Sequence, residues 1–328
     1  MKRIALLTSG GDAPGMNAAI HSIVMSCHHE GIEVIGFDKG FNGLLDNEYH
    51  PLTHHDVKHI IHMGGTILKS ARCHRLMESE YQTLAAKHLN QLNLDGLIVI
   101  GGDGSFRGGA VLSGLTSVPV IGVPATIDND LEGTDATIGF YTAVQTAVEA
   151  VDKIRDTADA FERIFIVEVM GRNSGFLALD TGIATEAELI ICPEMRIDVS
   201  QLAENIAVHN RQYIETFGHS SYIIVMAENT YPGGASALAF ELSKNRGIEC
   251  RATVLGHIQR GGNAIANDRL LASKLGDAAV EALQCGLSGK MVGLVQGKIK
   301  YTRFDACGLK EKAPDPYLMH LYQTKLMT

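Results

Sequence analysis

The stretch that decides the fold runs from Ile98 to Asp130 and reads IVIGGDGSFRGGAVLSGLTSVPVIGVPATIDND. Two short apolar runs rich in β-branched residues, Leu97–Ile100 and Val118–Val123, each give way at once to a polar loop. Such runs predict the buried strands of a parallel sheet. The first loop is Gly101-Gly102-Asp103-Gly104-Ser105, and the second is Pro124-Ala125-Thr126-Ile127-Asp128-Asn129-Asp130. In a parallel α/β sheet, loops at the carboxyl ends of neighbouring strands converge on a ligand crevice. Glycines there let backbone N–H groups approach phosphates closely, and the helix that follows adds its positive N-terminal end. A carboxylate inside such a cradle would be repelled by the ligand unless a metal bridged them, which makes Asp103 a natural Mg²⁺ holder. Three aspartates in two loops exceed what phosphate binding needs, so at least one is expected to do acid–base chemistry. Gly-Gly-Asp-Gly alone is equally compatible with an ordinary turn. Thr126–Asp130 is different: it follows an apolar strand, carries two acids and no compensating base, and is costly without a metal or substrate.

The whole chain of 328 residues is long enough for two domains or two lobes, with 45% hydrophobic and 20% charged residues, the balance of a globular enzyme. No apolar run approaches a membrane span, and Met1-Lys2-Arg3 leads straight into a strand rather than a signal sequence. A formal net charge of −9 argues against nucleic acid as a partner, so a polyanionic substrate must be drawn in by local arginines. The six cysteines lack any C-x-x-C spacing, which indicates neither zinc nor a disulfide framework and suits a reducing, cytoplasmic setting.

Elsewhere the chain repeats the strand–loop–helix pattern. A strand at Arg3–Thr8 meets the turn Ser9–Gly15 and a helix from about Met16, an anion-binding arrangement or simply a tight connection. It is neither a Walker loop nor a dinucleotide fingerprint. After a strand at Glu33–Phe37, His55, His59 and His62 would share one face of a helix spanning 54–62, read as a solvated face rather than a metal site. Thr134–Thr137 supplies capping residues for a long helix bearing Phe140, Val144, Ala147, Val148, Val151 and Ile154 on its apolar side. The strand Ile164–Val169 delivers Met170-Gly171-Arg172 to a loop, a position from which arginine can recognise phosphate bidentately. A strand at Glu188–Cys192, a helix at 199–216 and a strand at Tyr222–Ala227 ending in Glu228 form a second βα series. Two doubly wound lobes with mainly parallel sheets follow from that repetition. The dense motif Arg251–Gly262, with its histidine and two arginines, suits a phosphate ester and lacks the interleaved aromatics of an RNA site. A helix at Asp268–Cys285 and a hairpin at Met291–Tyr301 turning at Gln296-Gly297-Lys298 close the fold, leaving a terminal excursion around Pro314-Asp315-Pro316.

GGDGS followed by P-x-TIDND, with LTSGGDAPGMNA near the start, MGR and GHIQRGG, resembles the ATP-dependent bacterial 6-phosphofructokinase family over nearly the whole chain. GGDG by itself is shared with NAD kinases and lipid kinases; the combination is specific. The resemblance implies the phosphofructokinase fold, with a larger nucleotide-binding lobe of 1–139 plus 257–308 and a smaller sugar-phosphate lobe of 140–256 plus 309–328. It implies transfer of the γ-phosphoryl of ATP, with Mg²⁺, to the 1-hydroxyl of fructose 6-phosphate. Asp128 would be the general base, positioned by Thr126 and kept basic by Asp130, and Arg72 and Arg172 would neutralise the moving phosphoryl. Gly11, Arg72, Cys73, Gly102, Asp103, Gly104 and Ser105 would face ATP, with Asp103 on the metal. The sugar phosphate would meet Thr126, Ile127, Asp128, Arg163, Met170, Gly171, Arg172, Glu228, Arg251, His257, Ile258, Gln259 and Arg260. Arg163 and Arg251 would come from a neighbouring subunit, implying a homotetramer.

Departures from the family pattern carry their own expectations. Cys73 stands where an aromatic residue is usual, and together with Arg107 bears on the adenine contact. His21, Met25, His54, Phe217 and His219 replace effector-site basic residues, which predicts blunted or altered control by ADP or phosphoenolpyruvate. Pyrophosphate-using relatives carry Asp in place of Gly104 and Lys in place of Ala125, so ATP is favoured, with the Ala125 methyl expected near the phosphates. Two alternatives are a pyrophosphate-dependent enzyme and a non-catalytic sugar-phosphate or nucleotide sensor. The second predicts erosion of Asp103, Asp128, Asp130, Arg72 or Arg172, and all five are intact.

Overall fold

The computed structural model describes residues 1–195, 198, 200–308 and 312–326. Its strands are β1 (Arg3–Ser9), β2 (Glu33–Phe37), β3 (Tyr49–Leu52), β4 (Gly96–Gly101), β5 (Val120–Pro124), β6 (Ile164–Val169), β7 (Leu189–Ile191), β8 (Tyr222–Ala227), β9 (Cys250–Val254), β10 (Lys290–Val295) and β11 (Lys298–Arg303). The helices are α1 (Met16–His29), α2 (Phe41–Asp46), α3 (Ser79–Gln91), α4 (Asp103–Leu115), α5 (Phe140–Phe161), α6 (Phe176–Ala184), α7 (Leu202–Phe217), α8 (Gly234–Arg246), α9 (Ala266–Gln284), α10 (Phe304–Cys307) and α11 (Pro316–Leu321).

Two compact units divide the chain, one of Met1–Thr142 with Arg260–Lys312, the other of Ala143–Gln259 with Ala313–Thr328. The first holds a seven-stranded sheet ordered β11-β10-β5-β4-β1-β2-β3. Its pairs are parallel except at the two edges, β10–β11 and β2–β3. Chain order reverses at β1, which has β2 on one side and β4 on the other. That reversal is the switch point where doubly wound sheets bind ligands, beyond the carboxyl ends of the strands. Leu97–Ile100 is fully buried, as are Val120, Ile121 and Val123. Helices cover both faces of the sheet, so the strands read as continuous apolar runs. Each such side chain removed from water contributes roughly 1.5–3 kcal/mol. The second unit holds a four-stranded, all-parallel sheet ordered β7-β8-β6-β9. Its core joins Ile164, Ile166, Ile224 and Met226 to Leu202, Ile206, Leu238 and Leu242 of the helices.

Two expectations about elements are corrected. The histidine-rich segment 54–62 forms turns rather than a helix, and His59 has φ +63, the left-handed region that breaks helical continuation. His54 stacks on His28 at 4.2 Å and lies tilted against His55 at 3.9 Å, so the histidines cluster without sharing a helix face. Thr137 meets the start of α5 through its carbonyl, which accepts from Phe140 N at 3.2 Å, rather than through a hydroxyl cap. The Thr134 hydroxyl donates to Ala136 O and that of Thr137 to Thr126 O. The buried carboxylate of Asp268 in α9 also ties this helix start, accepting from Gly139 N, just before α5, at 2.8 Å and from Thr142 N and Oγ1 in its first turn at 2.7 and 2.6 Å. In the Arg251–Gly262 motif the strand stops at Val254, and His257–Arg260 lie on a 3₁₀ turn. Of the proposed helix at 199–216, residue 199 lies outside the described residues; α7 begins at Leu202.

Candidate active site

Within the first unit, three loops leave adjacent strands together. Ser9 pairs with Gly101, and Gly101 with Pro124, at the last register positions of β1, β4 and β5. Ser105 ties two of the loops, its buried hydroxyl donating to Ser9 O at 3.0 Å. It therefore sits behind the loop surface rather than on it. Gly11 leaves room for the Arg260 guanidinium, since a Cβ there would stand 2.6 Å from it. Arg260 itself donates from Nη1 to Asp12 O at 3.0 Å. Segment 70–72 joins the same rim: Gly10 N donates to Ala71 O, and the Ser70 hydroxyl donates to Gly10 O at 2.8 Å. Arg72 is exposed there and forms no ion pair with the described residues. Cys73, beside it, is half-buried against the core.

Asp103 is the first residue of α4, and its carboxylate is held by Arg107 one turn later. The pair is loosely kept, since the Arg107 side chain is 70% exposed. Asp103 thus offers one accessible carboxylate at a helix N-terminus, beside glycines able to take phosphates. Among the described residues no group of three or more acids, histidines or cysteines could hold a metal ion unaided. Mg²⁺ characteristically binds through one or two carboxylates plus substrate phosphates, and this donor set fits that habit. A Cβ at Gly104 would meet nothing within 4 Å. Ala125, by contrast, is fully buried, its N–H donating to Gly101 O at 3.0 Å.

Asp128 is nearly buried, at 8% exposure, in the loop beyond β5. Its backbone N–H donates to the Thr126 hydroxyl at 3.2 Å. Asn129, at φ +52, carries the tight bend between the two acids. Its Oδ1 accepts from Thr137 N at 3.1 Å. Ile127 is fully buried and anchors the loop in the core.

Within the second unit, β6 and β8 end side by side, with Val169 opposite Ala227. The three amides of the loop after β6 are each taken by a side chain. Met170 N donates to Gln259 Oε1 at 2.8 Å, and Gly171 N and Arg172 N donate to Glu228 Oε1 at 3.2 and 2.6 Å. Asn229 Nδ2 closes the clamp on Arg172 O at 2.9 Å. Arg172 is thereby kept at φ +59, a conformation unusual for a branched-out side chain, with its guanidinium exposed. Gln259 is fully buried beneath this loop and supports Met170 rather than facing a ligand. His257 and Ile258 are exposed. Arg163 pairs with Glu249 at 2.9 Å, and Arg251 reaches the same Glu249 oxygen at 3.2 Å. One acid between two arginines leaves a net positive pair suited to a phosphate monoester. Sequence reasoning missed Glu249, Asn229 and Asp268; polar residues that act through loop backbones leave no spacing signature.

Of the positions expected to hold an effector, Met25 and Phe217 are exposed apolar residues. Burial holds His21 below its ordinary pKa, and desolvation followed by the neighbouring His55 and His28 does the same for His54. His219 is exposed, its Nδ1 lying 3.1 Å from Phe217 O.

Glycine and aspartate loops at the switch point of one parallel sheet, with an arginine loop beyond another, define a doubly wound α/β enzyme of the phosphoryl-handling class. The family model described as Phosphofructokinase matches residues 3–283. The chain is 50% identical to ATP-dependent 6-phosphofructokinase 1 of Thermus thermophilus over 98% of its own length and 99% of the relative's. It is also 50% identical to ATP-dependent 6-phosphofructokinase of Clostridioides difficile over 91% of each chain. The solved structure of Pichia pastoris phosphofructokinase superposes with a TM-score of 0.87 at 32% identity, covering 93% of this chain and 35% of that one. The chain belongs to the phosphofructokinase family.

Proposed function

We propose that the protein transfers the γ-phosphoryl of MgATP to the 1-hydroxyl of fructose 6-phosphate, giving fructose 1,6-bisphosphate and ADP, the committed step of glycolysis. The observation that carries this reading is the acid loop beyond β5, where the Thr126 hydroxyl fixes the Asp128 amide at 3.2 Å and buries the carboxylate at a strand end. Asp128 accepts the proton of the 1-hydroxyl, the sugar oxygen forms the new bond to the γ-phosphorus, and the bond to the bridging oxygen breaks to release ADP. Asp130 keeps Asp128 basic through like-charge repulsion, which favours uptake of the proton. Arg72 and Arg172 neutralise charge on the moving phosphoryl, each worth roughly 10²–10³ in rate.

In this reading, Gly11, Gly102, Asp103 and Gly104 receive the triphosphate, with Ser105 holding their loops together and Cys73 beside the base. Asp103 is the residue that would hold Mg²⁺, which would supply charge neutralisation to the phosphates. Open space at Gly104 supports ATP over pyrophosphate as donor. The sugar phosphate is bound by Arg163, Arg251, His257 and Arg260 through its 6-phosphate, and by Met170, Gly171 and Glu228 through the sugar. In Arg260 one nitrogen is already engaged by Asp12 O, which leaves the rest of its fork for the phosphate. Gln259 serves from beneath the loop. The first unit is thus the nucleotide lobe and the second the sugar-phosphate lobe. We assign a homotetramer, with Arg163 and Arg251 acting across subunits, and a cytoplasmic location; no described helix is long and apolar enough to cross a membrane. Profiling the purified protein with ATP and pyrophosphate as donors and a panel of sugar phosphates as acceptors tests the assignment. Product from ATP and fructose 6-phosphate alone is the expected result, and preference for pyrophosphate or no transfer would reject it.

A further inference from the structure

Residues 304–308 and Lys312 pack behind the two acidic loops. Phe304 stacks on Phe106 of α4, ring centroids 5.3 Å apart. Cys307 O accepts from Glu132 N at 3.1 Å. Gly308 lies so close to Asp103 that a Cβ on it would stand 2.6 Å from the carboxylate Oδ1. The half-buried Lys312 ends the run, its Nζ donating to Asn129 Oδ1 at 2.8 Å and to Asp135 O at 2.9 Å. Asn129 separates the proposed base Asp128 from Asp130, is 3% exposed, and sits at φ +52. Its Oδ1 therefore serves Thr137 N and Lys312 together. A charge-assisted bond of this kind is roughly twice as strong as a neutral one. It fixes the side chain that sets the bend on which the Asp128 carboxylate is carried. Lys312 also lies beyond residue 283, where the family match ends.

We propose that Lys312 is a positioning residue for phosphoryl transfer, locking Asn129 so that Asp128 is held in its reactive orientation. The inference rests on the reading of Asp128 as general base. Misplacing a reacting group by an ångström costs up to about 100-fold. Lys312→Met is accordingly expected to lower kcat by roughly 10- to 100-fold while leaving KM for ATP and for fructose 6-phosphate within about twofold. Lys312→Arg, which keeps charge and donors, should recover most of kcat, and Lys312→Gln, which keeps a neutral donor, a smaller part. Amide hydrogen exchange across residues 126–139 should quicken in Lys312→Met and return toward wild type in Lys312→Arg.

Steady-state kinetics of the full-length proteins, with thermal melting to show that Lys312→Gln and Lys312→Arg are folded, decides the matter. A fall in kcat at constant KM, rescued by arginine, supports the proposal. Wild-type kcat in Lys312→Met or Lys312→Gln overturns it while leaving the reaction assignment intact, as does a loss confined to KM. A wild-type protein that makes no fructose 1,6-bisphosphate from ATP overturns both.

Discussion

Arg172 shows how much of this site lies in the backbone. Its exposed guanidinium is aimed by three side chains that bond only to the loop amides and carbonyl: Gln259, Glu228 and Asn229. Glu228, expected by resemblance to meet the sugar, has one oxygen that takes two loop amides. Glu228→Ala should therefore lower kcat/KM for fructose 6-phosphate by roughly 10²-fold with little change in KM for ATP. Glu228→Gln keeps an acceptor oxygen and should recover part of that loss; equal loss in both variants in a coupled assay would mean that the carboxylate's charge, not its grip on the loop, matters. Cysteine chemistry is similarly local. Burial pushes the thiols of Cys27, Cys192, Cys250 and Cys307 up to about 12, which keeps them protonated and inert. Cys285 is exposed and Cys73 half-buried. Peptide mapping after alkylation should find label on these two, with MgATP protecting Cys73 alone. Unprotected Cys73 would place the adenosine elsewhere. The motif residues were legible because phosphate chemistry demands particular side chains beside glycine. Their supports were not, since any suitably placed acceptor can hold an amide.

At the scale of elements, the strands at Glu33–Phe37, Ile164–Val169 and Tyr222–Ala227 were readable to the residue, because strands buried on both faces are unbroken apolar runs. Helix ends were less so. The start of α5 depends on Asp268, which stands 126 positions away from Thr142 and leaves no local trace. Segment 54–62 had helical histidine spacing but turns at His59, whose positive φ no periodicity reveals. Asp268→Ala should remove acceptors from buried amides at a cost on the order of 3 kcal/mol, read as a lower melting temperature. Burial outweighs the hydrogen bonds at Asp268 and raises its pKa. The folded state thus binds a proton that the unfolded state releases over the acidic range, and stability from this group declines as pH rises through that window. The margin of wild type over Asp268→Ala should be widest below the ordinary carboxylate pKa, narrow up to the raised folded value and stay level above it. A margin that grows with pH would contradict this.

For the whole molecule, the formal charge of −9 leaves anion binding to local clusters such as Arg163 and Arg251 around Glu249. The positions expected to hold an effector, His21, Met25, His54, Phe217 and His219, include no arginine or lysine. His21 and His54 are held below their ordinary pKa and are neutral near pH 7.5, while Met25 and Phe217 carry no charge at all. Rate curves against fructose 6-phosphate at that pH should superimpose with and without phosphoenolpyruvate, and a strongly sigmoidal response would contradict the reading. The central claim is that one carboxylate takes the proton as the phosphoryl group moves. It is tested most directly by measuring fructose 1,6-bisphosphate formation from MgATP by Asp128→Asn beside wild type, with fructose 6-phosphate binding measured separately. The account predicts a fall in kcat of roughly 10²–10⁴ with sugar-phosphate affinity nearly unchanged; a variant that keeps most of its turnover would contradict it.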